Sequence, residues 1–187
     1  YESNSEDRKN LQNKYDQMAN QVIDIPLVIG GKEIRTGNLG MCVMPHEHQH
    51  VLANFNMAGE EEVKLAINNS MDTWQTWSRT SLEDRTKIFR KAAELLQGPW
   101  RDTINAATMI NQSKNAFQAE IDAACELIDF FNFNCEYAEK IHGSQPLISP
   151  VGVKNSLEYR PLEGFVFAIT PFNFTSIAGN LPCAPAI

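Results

Sequence analysis

The sequence predicts an α/β fold. Five stretches between Ser5 and Lys140 have the apolar spacing or the capping residues of helices. Two short β-prone runs flank Gly30 and Gly31, and a nearly continuous apolar run, GFVFAIT (164–170), leads into a further helix. Helices followed by a buried strand and another helix are typical of this class. The 187 residues fit one domain, or one domain and part of another.

The N-terminal part of the chain combines a short amphipathic helix with a β-hairpin. Ser5 is a suitable N-cap for a helix that places Leu11, Tyr15 and Met18 at helical spacing. The segment IPLVIGGKEIRTG (25–37) has two β-prone runs around its glycine pair. This pattern predicts a hairpin, because tight two-residue turns favour glycine.

Four further helices are predicted between residues 60 and 140. The first begins with acidic residues, which the helix dipole favours, and repeats apolar side chains at steps of three and four: Val63, Ile67, Met71, Trp74 and Trp77. Ser81 then caps a helix that has Asp84 at the capping-box position, and Gly98–Pro99 ends it. The last two helices are expected at about 100–112 and 116–140.

Composition and charge exclude several classes of function. The net charge is −7 and no cluster of lysine and arginine is present, which argues against a nucleic-acid partner. No apolar run approaches the roughly 20 residues of a membrane span. A small-molecule or protein partner is therefore expected.

Both ends of the chain suggest that it is the front part of a longer protein. The last residues, GNLPCAPAI (179–187), read as the first turns of a helix without a stop signal. The chain begins with Tyr1 rather than methionine, so we expect the native N-terminus, with any organelle address, to lie upstream.

The loop that follows the predicted strand holds the first candidate site residue, Asn173. In open α/β sheets, ligands bind beyond the carboxyl ends of the strands. Pro171 has a fixed φ and keeps Thr170 extended, so the loop would present the Asn173 amide at the top of the sheet. Phe172 and Phe174 could keep this spot dry. A fixed neutral donor in a dry site suits an oxyanion. The alternative is that Asn173 closes the turn through its own backbone.

Glu120 is the second candidate. It falls within the apolar face of the longest predicted helix, which consists of Phe117, Ile121, Ala124, Leu127, Ile128 and Phe131. A buried carboxylate without a partner costs several kcal/mol, so a cation or donors should meet it. Two other interpretations stay open: the edge of this face is exposed at Glu120, or an arginine or lysine from elsewhere pairs with it. Asp122 and Glu126 are expected on the opposite, solvated face.

His46, His48 and His50 alternate along the sequence. On a strand all three would face one side, where they could form a metal site. No further ligand is recognisable, so a polar strand edge is the favoured interpretation and no metal is predicted.

The four cysteines include no CxxC pair, which argues against a disulfide or zinc framework and indicates a reducing compartment. Cys125 lies on the apolar face of its helix and Cys183 follows a proline in the final helix. Both are therefore predicted to be buried structural thiols.

Three segments resemble the aldehyde dehydrogenase superfamily: SLEDRTKIFRKAAELLQGP (81–99), AEIDAACELIDFFNFN (119–134) and LEYRPLEGFVFAITPFNFT (157–175). Taken in order, they are most similar to the eukaryotic Δ1-pyrroline-5-carboxylate dehydrogenase family, also called glutamate-semialdehyde dehydrogenases. The similarity extends from about Ser5 to the last residue.

The resemblance implies the N-terminal part of an aldehyde dehydrogenase fold, with a Rossmann-like NAD-binding domain. Residues 1–146 would be its N-terminal helical and hairpin part, and residues 161–187 the first strand and βα loop of the NAD-binding core. Residues 147–160 would form an oligomerisation β-arm. Its exposed strand edges need a partner subunit, which is consistent with a homodimer.

The resemblance also implies roles for the candidate residues. Asn173 would be the catalytic donor to the oxyanion, and the residues before it would line the NAD site: Thr170, Pro171 and Phe172. Glu120 would anchor the α-ammonium of the substrate, and Phe174 would contact the substrate. The nucleophilic cysteine, the general-base glutamate and the lysine that grips the cofactor ribose lie farther downstream in the superfamily. We therefore expect this chain to be inactive alone.

The implied reaction is the NAD-dependent oxidation of L-glutamate γ-semialdehyde to L-glutamate in proline catabolism, in the mitochondrial matrix. Two alternatives stay open. One is an aldehyde dehydrogenase with another substrate, although Glu120, Phe174 and Thr175 favour the semialdehyde. The other is a truncated, non-catalytic partner subunit.

Overall fold

Seven α-helices and two small sheets make up the fold. A computed structural model describes residues 1–187. The helices are α1 (Glu6–Ala19), α2 (Glu60–Trp77), α3 (Leu82–Gln97), α4 (Arg101–Gln112), α5 (Ala116–Ala119), α6 (Glu126–Gly143) and α7 (Asn180–Cys183). A π-helical segment, Glu120–Cys125, joins α5 to α6, and 3-10 turns at Ile177–Gly179 and Ala184–Ala186 flank α7. The strands are β1 (Ile23–Ile25), β2 (Leu27–Ile29), β3 (Lys32–Ile34), β4 (Leu39–Met44) and β5 (Glu47–Asn56).

The strands form two separate sheets. β1 pairs in parallel with β5, and β4 pairs antiparallel with β5, which gives the order β1-β5-β4. β2 and β3 form the predicted hairpin. Gly30 and Gly31 both have positive φ, +59° and +73°, as a two-residue type I′ turn requires. The predicted α/β class is confirmed.

The predicted helices are present, and their first turns are capped as expected. Ser5 Oγ accepts a hydrogen bond from the backbone N–H of Arg8, and Ser81 Oγ accepts one from Asp84. The longest predicted helix is not continuous, because the π segment interrupts it after one turn of α5. A π turn contains more residues than an α turn, so the side chains beyond it point in directions that an ideal helical wheel does not predict.

The contact between α3 and α6 contains the larger part of the core. Phe89 and Phe131 lie with their ring centroids 5.9 Å apart. Ala93, Leu127 and Cys135 complete the buried cluster. These helices therefore fix the position of the π segment that precedes α6.

Apart from the strand edge favoured around His46, His48 and His50, the sequence pattern does not predict the strands β4 and β5. The pairing register of β4 and β5 shifts on both sides of Val43, and such an irregularity breaks the alternation by which strands are recognised. Met44 and Leu52 from these strands pack against Ile110 of α4 in a second buried cluster. The three-stranded sheet thereby supports α4.

The prediction of a buried strand at 164–170 is wrong for this chain. The segment has no regular secondary structure, and the side chains of Phe167 and Ile169 are 78% and 76% exposed. A strand needs a neighbour to complete its hydrogen-bond ladder, and neither sheet pairs with this segment.

Residues 147–160, the predicted β-arm, also contain no strand. The segment is exposed and returns to the end of α6 through side-chain contacts. The Tyr159 hydroxyl donates to the carbonyl of Ile141 at 2.8 Å, and its ring stacks on His142. Strands are therefore absent from the whole region between α6 and α7.

The apolar face of α2 is only partly covered. None of its residues is buried, and Val63 and Met71 are exposed. None of the helices combines the length and the hydropathy that a membrane span requires.

The packing of α3 against α6 predicts a contrast between two phenylalanines of α6. Phe131→Ala should lower the free energy of unfolding by about 3–5 kcal/mol, because it leaves a cavity beside Phe89. Phe133→Ala removes an exposed ring from the same helix and should cost less than about 1 kcal/mol. Urea unfolding of the chain, followed by circular dichroism, measures both. Equal losses would show that the core does not lie at this contact.

Candidate functional site

The loop 170–173 lies on the surface of the chain. Thr170, Pro171, Phe172 and Asn173 are all exposed, and the Phe172 side chain is 95% exposed. A turn at residues 172–173 reverses the chain before it enters the 3-10 turn at 177–179. The loop thus presents one face outwards.

The other face of this loop is fastened to the end of α4 and to the π segment. Gln112 Nε2 donates to the carbonyl of Phe172 at 3.1 Å. Thr175 Oγ1 donates to Asn111 Oδ1 at 3.1 Å. The buried hydroxyl of Ser176 donates to the carbonyl of Ala123 at 2.9 Å. Side-chain hydrogen bonds therefore hold the loop in place although it belongs to no sheet.

Lys114 makes the central contact to the loop. Its Nζ donates to the carbonyl of Asn173 at 2.8 Å and to Asp122 Oδ2 at 2.6 Å. The same atom lies 4.5 Å from the centroid of the Phe174 ring, in a cation–π contact. The prediction that Asp122 is solvated is wrong, because the π segment turns this carboxylate towards Lys114.

The side-chain amide of Asn173 makes no hydrogen bond within the chain, and it lines none of the four main hollows. The alternative in which Asn173 closes the turn through its own backbone is therefore not observed. The predicted dry pocket is not formed either. Such a pocket needs walls on several sides, and this chain supplies only the side made by α4 and the π segment.

Glu120 lies in a network of donors at the start of the π segment. Its Oε2 accepts hydrogen bonds from the Tyr1 hydroxyl and from Asn105 Nδ2, both at 2.6 Å. Its Oε1 accepts one from Arg101 Nε at 2.9 Å. The alternative in which a cation from elsewhere pairs with Glu120 is thus observed, and Arg101 is that cation.

These contacts keep Glu120 ionised. Burial raises the pKa of Glu120, but the hydrogen bonds from Tyr1 and Arg101 outweigh it, so the pKa lies below its ordinary value. Burial and the hydrogen bond to Glu120 raise the pKa of the Tyr1 phenol well above its ordinary value. The cluster therefore contains a carboxylate, a guanidinium and a neutral phenol at neutral pH.

A shallow hollow of about 520 Å³ opens beside this cluster, and Tyr1, Arg101, Phe117 and Glu120 contribute to its lining. Beneath it, Asn105 is 0% exposed and its Oδ1 has no hydrogen-bond partner. Because the hollow presents both signs of charge beside an exposed aromatic ring, it suits a small zwitterion. A separate hollow of about 530 Å³ lies between α2 and residues 161–166, away from both candidate residues.

Three of the four cysteines, Cys125, Cys135 and Cys183, are not activated. Partial desolvation and the Glu120 carboxylate raise the pKa of Cys125, whose Sγ lies 3.6 Å from Glu120 Oε1. Burial also raises the pKa of Cys135 and Cys183. Nucleophilic cysteines need a lowered pKa. The prediction that Cys125 is buried is wrong, because the side chain is exposed on the π segment. Cys183 is half-buried.

The three histidines do not share one strand face. His46 lies in the turn before β5, where its Nδ1 is 2.8 Å from Ser113 Oγ. His50 Nε2 is 2.6 Å from the carbonyl of Ala19. No group of three or more histidine, cysteine, aspartate or glutamate side chains is arranged to hold a metal ion.

Sequence reasoning missed Lys114, Arg101 and Asn105. The sequence does contain a signal for Lys114. This residue stands between the end of α4 and Asn115, which caps α5. A corner of this kind keeps the lysine side chain near both helices. Arg101 and Asn105 lie four residues apart on one face of α4, which is a weaker signal because most such pairs are solvated.

Comparison with known proteins extends these observations. Residues 36–187 match the aldehyde dehydrogenase family. The chain is similar to the probable delta-1-pyrroline-5-carboxylate dehydrogenase of Schizosaccharomyces pombe, with 46% identity over 100% of this chain and 34% of that protein. It is similar to the mitochondrial delta-1-pyrroline-5-carboxylate dehydrogenase of Homo sapiens, with 44% identity over 98% of this chain and 32% of that protein.

The solved structures agree. The crystal structure of the delta-pyrroline-5-carboxylate dehydrogenase from Mycobacterium tuberculosis, bound with NAD, matches 100% of this chain with a TM-score of 0.95 and 46% identity. This chain covers 35% of that structure. The chain thus spans about a third of the length of these relatives. Because the family match covers most of its residues, the chain belongs to the aldehyde dehydrogenase family, and its α/β architecture is the N-terminal part of that fold.

Proposed function

We propose that this chain is the N-terminal third of an NAD-dependent dehydrogenase that oxidises L-glutamate γ-semialdehyde, the open form of Δ1-pyrroline-5-carboxylate, to L-glutamate. The observation that carries the proposal is the match of the whole chain, at 46% identity, to a delta-pyrroline-5-carboxylate dehydrogenase whose structure is bound with NAD. The reaction belongs to proline catabolism.

The loop 170–173 is the part of this chain that would contact NAD. Its outer face is free, and it presents the exposed ring of Phe172 beside the exposed residues Thr170 and Pro171. A flat apolar surface of this kind fits a nicotinamide ring. When bound, NAD supplies the acceptor for the hydride that leaves the aldehyde carbon.

Asn173 would stabilise the oxyanion that forms when a cysteine thiolate attacks the aldehyde. The amide is not engaged by the rest of the chain, and hydrogen bonds on the opposite side hold the loop in place. A donor held in this way needs little reorganisation when negative charge develops. The attacking cysteine and the base that activates water would lie in the remainder of the protein.

The cluster of Glu120 and Arg101 would select the amino-acid end of the substrate. Glu120 carries the charge that an α-ammonium needs, and Arg101 offers a donor to the α-carboxylate. A carboxylate has about four acceptor positions, and four donors meet this one: Tyr1, Asn105, Arg101 and the weak thiol donor Cys125. An α-ammonium would displace the thiol. Phe174, whose ring lies under the Lys114 ammonium, would contact the carbon chain of the substrate.

We further propose that the protein forms a homodimer through residues 147–160 and acts in the mitochondrial matrix. The exposed apolar side chains of this arm include Leu147, Ile148 and Val151, and a second subunit that pairs with the arm would cover them. Residues 1–146 would be the N-terminal helical and hairpin part of the NAD-binding domain. Residues 161–187 would be the first strand and βα loop of its core, once a neighbouring strand is present. Mitochondrial location is supported by the names of the relatives from Homo sapiens and Dictyostelium discoideum.

The oxyanion role predicts the effect of changing Asn173 in the full-length enzyme. Asn173→Ala should lower kcat by about a hundredfold or more and leave the Kd for NAD within about twofold, because the amide acts on the reacting oxygen. Asn173→Asp, which places a negative charge at the same position, should be at least as inactive. Steady-state kinetics and NAD titration measure both, with Asn68→Ala on exposed α2 as the control. Near-normal turnover of Asn173→Ala would exclude the role.

The head-group role predicts that Glu120→Gln changes substrate preference. It should raise KM for glutamate semialdehyde at least tenfold and KM for a simple aliphatic aldehyde less than twofold, because only the former carries an ammonium. Glu126→Gln, on the next turn and without an ion pair, is the matched control. Equal changes in both KM values would leave Glu120 with a structural role alone. A wild-type preference for uncharged aldehydes would contradict the semialdehyde assignment.

A further inference from the structure

We propose that Lys114 is a positioning residue for Asn173: its ammonium holds the main-chain carbonyl of Asn173 and thereby sets the direction of the side-chain amide. The inference rests on the proposed function, in which this amide meets the oxyanion.

The backbone on both sides of Lys114 is fixed. Ser113 has φ +54°, a left-handed conformation that is strained for a residue with a side chain. Its hydroxyl is 2.8 Å from His46 Nδ1. On the other side, the Asn115 side chain accepts from the N–H of Gln118, and the Gln118 side chain accepts from the N–H of Asn115. Such strain persists only where the surroundings hold it. The corner between α4 and α5 is therefore a rigid base for the lysine.

The side chain is equally constrained. The side chains of Lys114 and Asp122 are only 18% and 23% exposed, and their ion pair measures 2.6 Å. Charged hydrogen bonds that are shielded from water are stronger and less screened than those at the surface. The ring of Phe174 on one side and the carboxylate on the other leave Nζ directed at the Asn173 carbonyl.

Lys114 makes the only side-chain hydrogen bond to residue 173. Gln112 and Asn111 hold the residues on either side of it, through Phe172 and Thr175. Without Lys114, the peptide group that follows Asn173 can rotate between the anchored residues Phe172 and Thr175. The Cβ atom of Asn173 then moves with the backbone. A displacement of about 1 Å of a catalytic group costs on the order of a hundredfold in rate. Loss of the contact between Lys114 and the Asn173 carbonyl should therefore lower the reaction rate strongly, even if Asn173 moves only slightly.

The test is a double-mutant cycle in the full-length enzyme. Lys114→Met keeps the aliphatic stem and removes the charge and donors, and Asn173→Ala removes the amide. Lys114→Met should lower kcat at least tenfold with KM for NAD within about twofold. In the Asn173→Ala background the same change should lower kcat less than threefold, because the group it positions is gone. Lys114→Arg, which keeps a cation and donors, should restore at least a third of wild-type kcat.

Equal falls in both backgrounds, or a fall of less than twofold in the wild type, would overturn the positioning role. Lys91→Met, a change to an exposed lysine of α3, is the matched control and should leave kcat unchanged. If Lys114→Met does not fold, Asp122→Asn takes its place in the cycle. It should lower kcat at least threefold in the wild type and less than twofold without the amide, and equal falls would again overturn the inference.

The cycle also separates this inference from the proposed function. If Asn173→Ala alone has normal kcat, the oxyanion role and the role of Lys114 both fail. If Asn173→Ala is a hundredfold slower while the effect of Lys114→Met is additive with it, only the role of Lys114 fails.

Discussion

The π-helical segment between α5 and α6 is the constraint on which the candidate site depends. It turns Glu120 towards Arg101, Asp122 towards Lys114, and the carbonyl of Ala123 towards the hydroxyl of Ser176. An uninterrupted α-helix would distribute these three groups differently around its axis. The packing of α6 on α3 fixes the position of this segment, so the largest core cluster of the chain supports its geometry. π segments of this kind are frequent at functional sites.

The two half-buried ion pairs of this region have different consequences. The Glu120–Arg101 pair is completed by Tyr1 and Asn105, so both charges are compensated although each is partly removed from water. In the Lys114–Asp122 pair, the ammonium also donates to the main chain of another segment. The Glu120–Arg101 pair therefore acts within its own cluster, whereas the Lys114–Asp122 pair also restrains the loop 172–176.

Local signals in the sequence are sufficient for the elements that depend on neighbours along the chain. The serine caps of α1 and α3, the Gly98–Pro99 stop of α3 and the glycine pair of the hairpin act over a few residues, and these elements form as predicted. The π insertion depends on tertiary packing, so a helical wheel could identify Glu120 as unusual but could not name Arg101 as its partner. The segment 164–170 has the composition of a strand, yet it stays irregular because pairing needs a second segment that composition cannot supply. The sequence made Asn173 a candidate, and the contact of Lys114 with its carbonyl became visible only in three dimensions.

The uncovered apolar stretch from Leu147 to Phe172 has a consequence for biosynthesis. If the remaining two thirds of the protein follow on the same chain, a ribosome that adds roughly 5–20 residues per second releases this stretch well before its pairing partners exist. During that interval, side chains such as Phe167 and Ile169 are available to other nascent chains. The order in which the segments leave the ribosome then sets how long these side chains stay uncovered.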